Sequence, residues 1–160
     1  MTREAYLIPV DVSGSSLKSA IKLNDLYTSL SESPAQRVTI FLDACFSGGA
    51  REKSLIAGNR GVKIKPKDFY LRGNTVVFAA SSGDQSSMPY KEKLHGMFTY
   101  FLLKKLKDTK GEVSYKELSD YLKSSVSVEA LKKKNKEQNP QVQVSEEISI
   151  DWENWLFSVN

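Results

Sequence analysis

One thiol stands out among the reactive groups of this chain. Cys45, the only cysteine in 160 residues, follows the apolar run Val38–Leu42 and the pair Asp43-Ala44, and leads into the small turn Phe46-Ser-Gly-Gly49. Such a layout delivers a side chain to the carboxyl end of a strand, where open α/β sheets place their ligands. A thiolate attacks a carbonyl carbon or phosphorus far better than a thiol, so a nucleophilic cysteine needs something that lowers its pKa or takes its proton. Asp43 shares a strand face with Cys45, but an anion nearby raises a thiol pKa. It is better read as binding a cationic substrate group together with Asp84, a capping or turn role being the alternative for each acid. Isolated cysteines are also common as inert packing, so the flanking elements must decide.

Those elements follow from periodicity. Residues 6–12 read as a short extended segment interrupted by Pro9, and 13–16 as a turn that supplies an N-cap. Leu17, Ala20, Ile21, Leu23, Leu26, Tyr27 and Leu30 recur at helical spacing, predicting a helix over 17–31 that closes at Ser33-Pro34. Val38–Leu42 is short and continuously apolar, a buried strand. Strand, helix, strand in this order suggests a βαβ unit. Residues 46–73 form a long basic connection, and 74–80 a second buried strand before the polar loop 81–87. Parallel pairing of the two strands would bring Cys45 and the Asp84 loop to one edge.

Further along, Met97, Phe98, Phe101, Leu102 and Leu106 predict a helix over about 95–107, ended by Gly111. Ser114 and Glu117 have capping-box spacing for another helix, with Leu118, Tyr121, Leu122 and Leu131 on its apolar side. Asn139-Pro140 breaks it. Val142, Val144, Ile148 and Ile150 alternate as in extended chain, and the aromatic tail 152–157 is expected to pack back onto the domain.

Composition excludes several classes. The length suits one domain with a sizeable core, and 40% hydrophobic with 26% charged residues is that of a globular protein. No apolar run approaches the roughly 20 residues of a membrane span, and the N-terminus has no signal-peptide pattern. A single cysteine is compatible with the reducing cytoplasm, the expected location. The +4 charge is concentrated in Arg51, Lys53, Arg60, Lys63, Lys65 and Lys67, and in Lys132, Lys133, Lys134 and Lys136. Neither cluster interleaves aromatics, which argues against nucleic-acid binding.

The motifs around Cys45 resemble those of the caspase and metacaspase group of cysteine peptidases, where a strand ends Asp-x-Cys-x-Ser-Gly; here these are Asp43, Cys45, Ser47 and Gly48. Tyr6-Leu-Ile-Pro-Val-Asp11 is similar to the segment after that family's His-Gly loop, and residues 76–86 to the strand and loop opening its small-subunit half. Residues 95–103 look like the following helix start, and 139–142 like the approach to the last strand. The resemblance implies an α/β fold, a caspase-like mostly parallel sheet flanked by helices and incomplete at the amino-terminal side. It implies one partial peptidase domain over 1–160, with 46–73 joining its two parts.

By the same resemblance Cys45 is the nucleophile and its N–H an oxyanion donor. Asp43 underlies the first specificity pocket, and Asp84 lies in the loop that completes it. Ser81 and Ser82 of that loop are further substrate-binding candidates. Two acids there favour cleavage after Arg or Lys, a strong discriminator in a partly desolvated pocket. Arg51, Lys53, Arg60 and Lys63 become candidate self-cleavage sites. The family's base is a histidine upstream of the cysteine, yet none of the 44 residues before Cys45 is histidine. The only histidine, His95, matches the helix start instead, as an N-cap or surface residue. The chain is therefore expected to begin just past the His-Gly loop, to need an upstream segment or second chain carrying the base, and to be nearly inactive alone. Without part of its neighbouring sheet, strand 38–42 would be open to pairing with another chain. No acid cluster suggests a metal, and no cofactor is expected.

Two rivals remain at this level. Cys45, Gly48 and Arg51 fit the Cys-x-x-Gly-x-x-Arg loop of cysteine phosphatases, although Ala44 and Glu52 depart from it and Asp43 would repel phosphate. The other is a non-catalytic caspase-like interaction module, favoured if the missing base is natural.

Overall fold

A computed structural model describes residues 5–8, 19–44, 70–82 and 85–158. Its centre is a three-stranded sheet with spatial order β3 (Val38–Leu42), β4 (Thr75–Ala79) and β7 (Gln141–Val144). β3 and β4 run parallel, in register from Val38↔Thr75 to Leu42↔Ala79. β4 and β7 are antiparallel, from Val76↔Val144 to Ala79↔Gln141. The fold is α/β, but the described sheet is mixed rather than mostly parallel.

β4 is the middle strand, and Thr75, Val76, Val77 and Phe78 are all buried because both sheet faces are covered. On one face Val76, Phe78 and Ala80 pack with Phe98 and Leu102 of α2 (Met97–Asp108), and with Leu118 and Leu122 of α3 (Tyr115–Lys134). On the other, Val77, Ile40 and Leu42 meet Leu23 and Tyr27 of α1 (Leu23–Ser31). Alternation along the strands thus divides the helices between two layers.

Expectation and structure part company near the N-terminus. The helix expected over 17–31 begins only at Leu23, because Ile21–Lys22 (β2) pairs antiparallel with Tyr6–Leu7 (β1). The Leu23 N–H then bonds Ala5 O at 2.9 Å. Among the described residues β1 pairs in this small ribbon and not with β3, so the expected βαβ unit is not seen there; the parallel pair is β3 with β4. The turn over 13–16 lies outside the described residues, as does nearly all of the 46–73 connection.

The second half follows its local signals closely. The Ser114 hydroxyl accepts from Glu117 N and the Glu117 carboxylate from Ser114 N, a complete capping box. Gly111 closes the α2 region with φ +83, donating to Leu106 O. α3 ends at Lys134, with Asn135 in the left-handed conformation, before Asn139-Pro140 is reached. Leu131 is 52% exposed and lies off the apolar face assigned to it. Extended alternation stops at Val144. Ser145 N completes the ladder onto Thr75 O, and a tight turn at Glu146–Ile148 then buries Ile148 and leaves Ile150 in solvent. The aromatic tail does fold back: Phe157 stacks on Tyr115 with ring centres 4.1 Å apart, and its N–H bonds Val113 O.

Candidate active site

Asp43 is the first residue beyond β3, so the strand itself aims its side chain past the carboxyl edge of the sheet. There it meets the start of α2. Helix N-termini leave N–H groups without intrahelical partners, and a cap usually comes from the preceding residue. Here that residue is Gly96, which has no side chain to give. The Asp43 carboxylate fills the role from a distant part of the chain. Its Oδ2 accepts from Thr99 N at 3.2 Å and from Thr99 Oγ1 at 2.6 Å. Its Oδ1 accepts from the Ser87 hydroxyl. A Cβ on Gly96 would overlap the carboxylate, so this approach requires glycine.

The donors to Asp43 are neutral. Among the described residues none of the ion pairs involves it. A carboxylate offers about four lone-pair sites, and among the described residues three donors occupy it and no ion pair reaches it. The helix dipole favours the anion without cancelling it.

Asp43 borders a cleft of about 570 Å³, with Ser87, Met88, Lys91, Leu94 and His95 among its walls. That volume suits a side chain or small ligand. The cleft is built from the short hairpin of β5 (Pro89–Tyr90) and β6 (His95–Gly96), set on α2. Tyr90 of this hairpin donates to Glu129 at 2.7 Å; that bond, reinforced by burial, pushes the phenol pKa up to about 12. Leu94 at the hairpin tip is left-handed (φ 57) and 90% exposed.

Of the residues singled out from sequence, Asp43 lines this cleft, whereas Cys45 and Asp84 lie outside the described residues. Ser81 is buried, its hydroxyl donating to Gln85 O at 3.1 Å within its own loop. Ser82 is half-buried, with its carbonyl accepting from Gln85 N. Neither serine is among the cleft's lining residues. His95 is an exposed residue on the cleft wall, paired with Tyr90 across the hairpin; the N-cap of α2 is Gly96, not His95. Sequence reasoning missed Ser87, Gly96 and Thr99. A glycine directly before a helix with no cap of its own was the one local hint.

Among the described residues no group of three or more His, Cys, Asp or Glu is gathered as for a metal, and no helix is long and apolar enough to cross a membrane. A family model for the caspase domain matches residues 1–147. No curated protein matches the chain.

Proposed function

The chain belongs to the caspase-domain family of cysteine peptidases, and from that membership we propose a cysteine endopeptidase that cleaves after Arg or Lys. Cys45 is the nucleophile. Its thiolate attacks the scissile carbonyl carbon, the amine leaves with the proton the base took from the thiol, and water hydrolyses the resulting thioester to free the acid and restore the thiol. Asp43, with Asp84, receives the cationic side chain before the bond. The observation that carries this reading is the Asp43 carboxylate: a charge held at the edge of a cleft by donors that, among the described residues, are all neutral, so that a guanidinium or ammonium group would supply its counter-charge. An aspartyl side chain would be repelled there, as would a phosphate, which disfavours phosphatase chemistry.

No histidine stands among the 44 residues before Cys45, so the base is supplied by an upstream segment or a second chain. The isolated chain is then nearly inactive, since losing one member of such a set costs on the order of 10⁴ in rate. The same observation favours a second reading, a non-catalytic interaction module. We place the protein in the cytoplasm, where a lone thiol stays reduced, and assign Arg51, Lys53, Arg60 and Lys63 as self-cleavage sites.

A peptidyl-arginine acyloxymethyl ketone tests the peptidase reading without requiring turnover. Mass spectrometry is expected to find the label on Cys45, at a rate well above that of the aspartyl analogue and lowered by Asp43→Asn. Equal labelling by both probes would overturn the specificity. No labelling of Cys45, with or without an added His-Gly segment, would leave the interaction module.

A further inference from the structure

The loop from 81 to 87 carries Ser87 and the candidate Asp84, and its two stems are joined by one buried side chain from elsewhere. Gln138 has no exposed surface. Its Nε2 donates to Ala80 O at 3.1 Å, where β4 ends, and its Oε1 accepts from Met88 N at 2.9 Å, where the loop ends. A planar amide has a donor end and an acceptor end, and here each finds the opposite kind of backbone group. The β4–β7 ladder stops at Ala79↔Gln141. Gln138 takes it one step further with a side chain in place of a strand.

The consequences run into the cleft. Met88, held through its N–H, uses its carbonyl to accept from Met97 N at 2.8 Å, the first residue of α2. Ser87, one residue earlier, donates to Asp43. The clasp is reciprocal, since Gln85 Oε1 accepts from Asn139 N at 2.7 Å. Ser127 on α3 donates to Gln138 O at 3.1 Å and fixes the backbone from which the amide projects.

We propose that Gln138 is a positioning residue that closes the neck of the 81–87 loop and holds Ser87 and the start of α2 around the Asp43 carboxylate. Its effect on a cationic ligand rests on the arginine/lysine reading above; its closure of the loop does not.

The test substitutes Gln138→Glu, which still accepts from Met88 N but sets an anion against Ala80 O. Amide hydrogen exchange at Met88 and Thr99, and binding of benzamidinium as a guanidinium stand-in, are the readouts. Expected are a loss of protection at Met88 and Thr99 of tenfold or more and at least tenfold weaker benzamidinium binding at neutral pH. Met88 protection should return on acidification, when the protonated Glu can again donate to Ala80 O. Unchanged protection at Met88 and Thr99 overturns the proposal, as does unchanged benzamidinium binding once Met88 has opened. If the unsubstituted protein does not bind benzamidinium, the arginine/lysine reading fails, and exchange at Met88 and Thr99 alone decides the role of Gln138. Should Gln138→Glu fail to fold, Gln85→Ala removes the reciprocal bond from Asn139 N together with the long exposed one to Glu137, and leaves Gln138 in place. It is expected to raise Met88 exchange severalfold, and no rise would count against the clasp.

Discussion

Asp43 caps the helix that begins at Met97, and Thr99 binds it twice, through backbone N–H and through hydroxyl. Two segments separated by 56 positions are joined at this point. The pair has both a structural and a chemical consequence. The end of β3 is locked to α2, and the carboxylate is aimed beside the cleft with little freedom. Preorganised charge of this kind is what recognition of a cation requires.

Replacing Asp43 by Asn separates these roles. The amide oxygen still accepts from Thr99 and the Ser87 hydroxyl can turn to accept from the new NH2, so stability should fall by about 1 kcal/mol, from the lost helix-dipole interaction and the weaker neutral hydrogen bonds. Affinity for arginyl peptides should fall by about 2 kcal/mol or more, roughly 30-fold, as for truncated buried charge pairs. Urea unfolding and competition binding measure the two. Equal losses in both would assign Asp43 to structure alone.

Thr99→Val removes one hydrogen bond to a charged group and is expected to cost about 1.5–3 kcal/mol, with Thr99→Ser restoring most of it. Gly96→Ala is expected to be worse than either, because its new Cβ collides with the carboxylate. Denaturation midpoints of the three variants give the order. A neutral Gly96→Ala would show that Asp43 does not sit against this helix.

Ser119 is buried on α3, and its hydroxyl has no hydrogen-bond partner among the described residues. A buried hydroxyl without a partner costs about 1–3 kcal/mol, and Ala is the better helix former. Ser119→Ala should therefore raise the melting temperature, a gain in stability of about 1 kcal/mol. A fall in melting temperature would reveal a hidden partner.

Two phenols tie stability to alkaline pH. Burial raises the pKa of Tyr27 from 10.0 to about 12, and the Glu129 bond with burial does the same to Tyr90. Each folded-state value lies above the unfolded one. Their contribution is complete below pH 10.0 and lost as pH rises toward about 12. Tyrosinate absorbance should show a delayed, cooperative phase coincident with unfolding, diminished in Tyr27→Phe.

The folded-back tail should contribute measurably. Phe157 is half-buried, stacked on Tyr115 and 6.2 Å from the Phe78 ring. Phe157→Ala is expected to cost about 2 kcal/mol, below the range for a fully buried phenylalanine. Calorimetry checks the value.

Where the deciding forces are local, the sequence alone determined the outcome. β4 was legible because a short run of apolar β-branched and aromatic residues has one stable environment, a sheet covered on both faces. β3 formed where its apolar run predicts, but the burial expected of it fails, since with only β4 beside it among the described strands it is half-buried and Phe41 is exposed. α3 began where Ser114 and Glu117 can exchange hydrogen bonds within a single turn. The family was legible as well, since the residues around Cys45 recur with other stretches in a fixed order. Local periodicity failed where a distant partner competed for the same backbone. Ile21 and Lys22 carry a helical pattern, but β1 claims their hydrogen bonds. Leu131 keeps the spacing of an apolar face, but it is left half exposed.

The candidate site divides in the same way. Asp43 could be chosen from sequence because its chemistry and its place after a strand were both visible. Its donors could not, since Ser87 and Thr99 are ordinary polar residues 44 and 56 positions away. Gln138 was likewise indistinguishable from any loop glutamine. Only the tertiary structure decided that the α3–β7 connection buries an amide between Ala80 and Met88. Burial is the physical reason: a polar group removed from water must find partners, and which partners it finds is set by how the layers stack, not by the residues beside it.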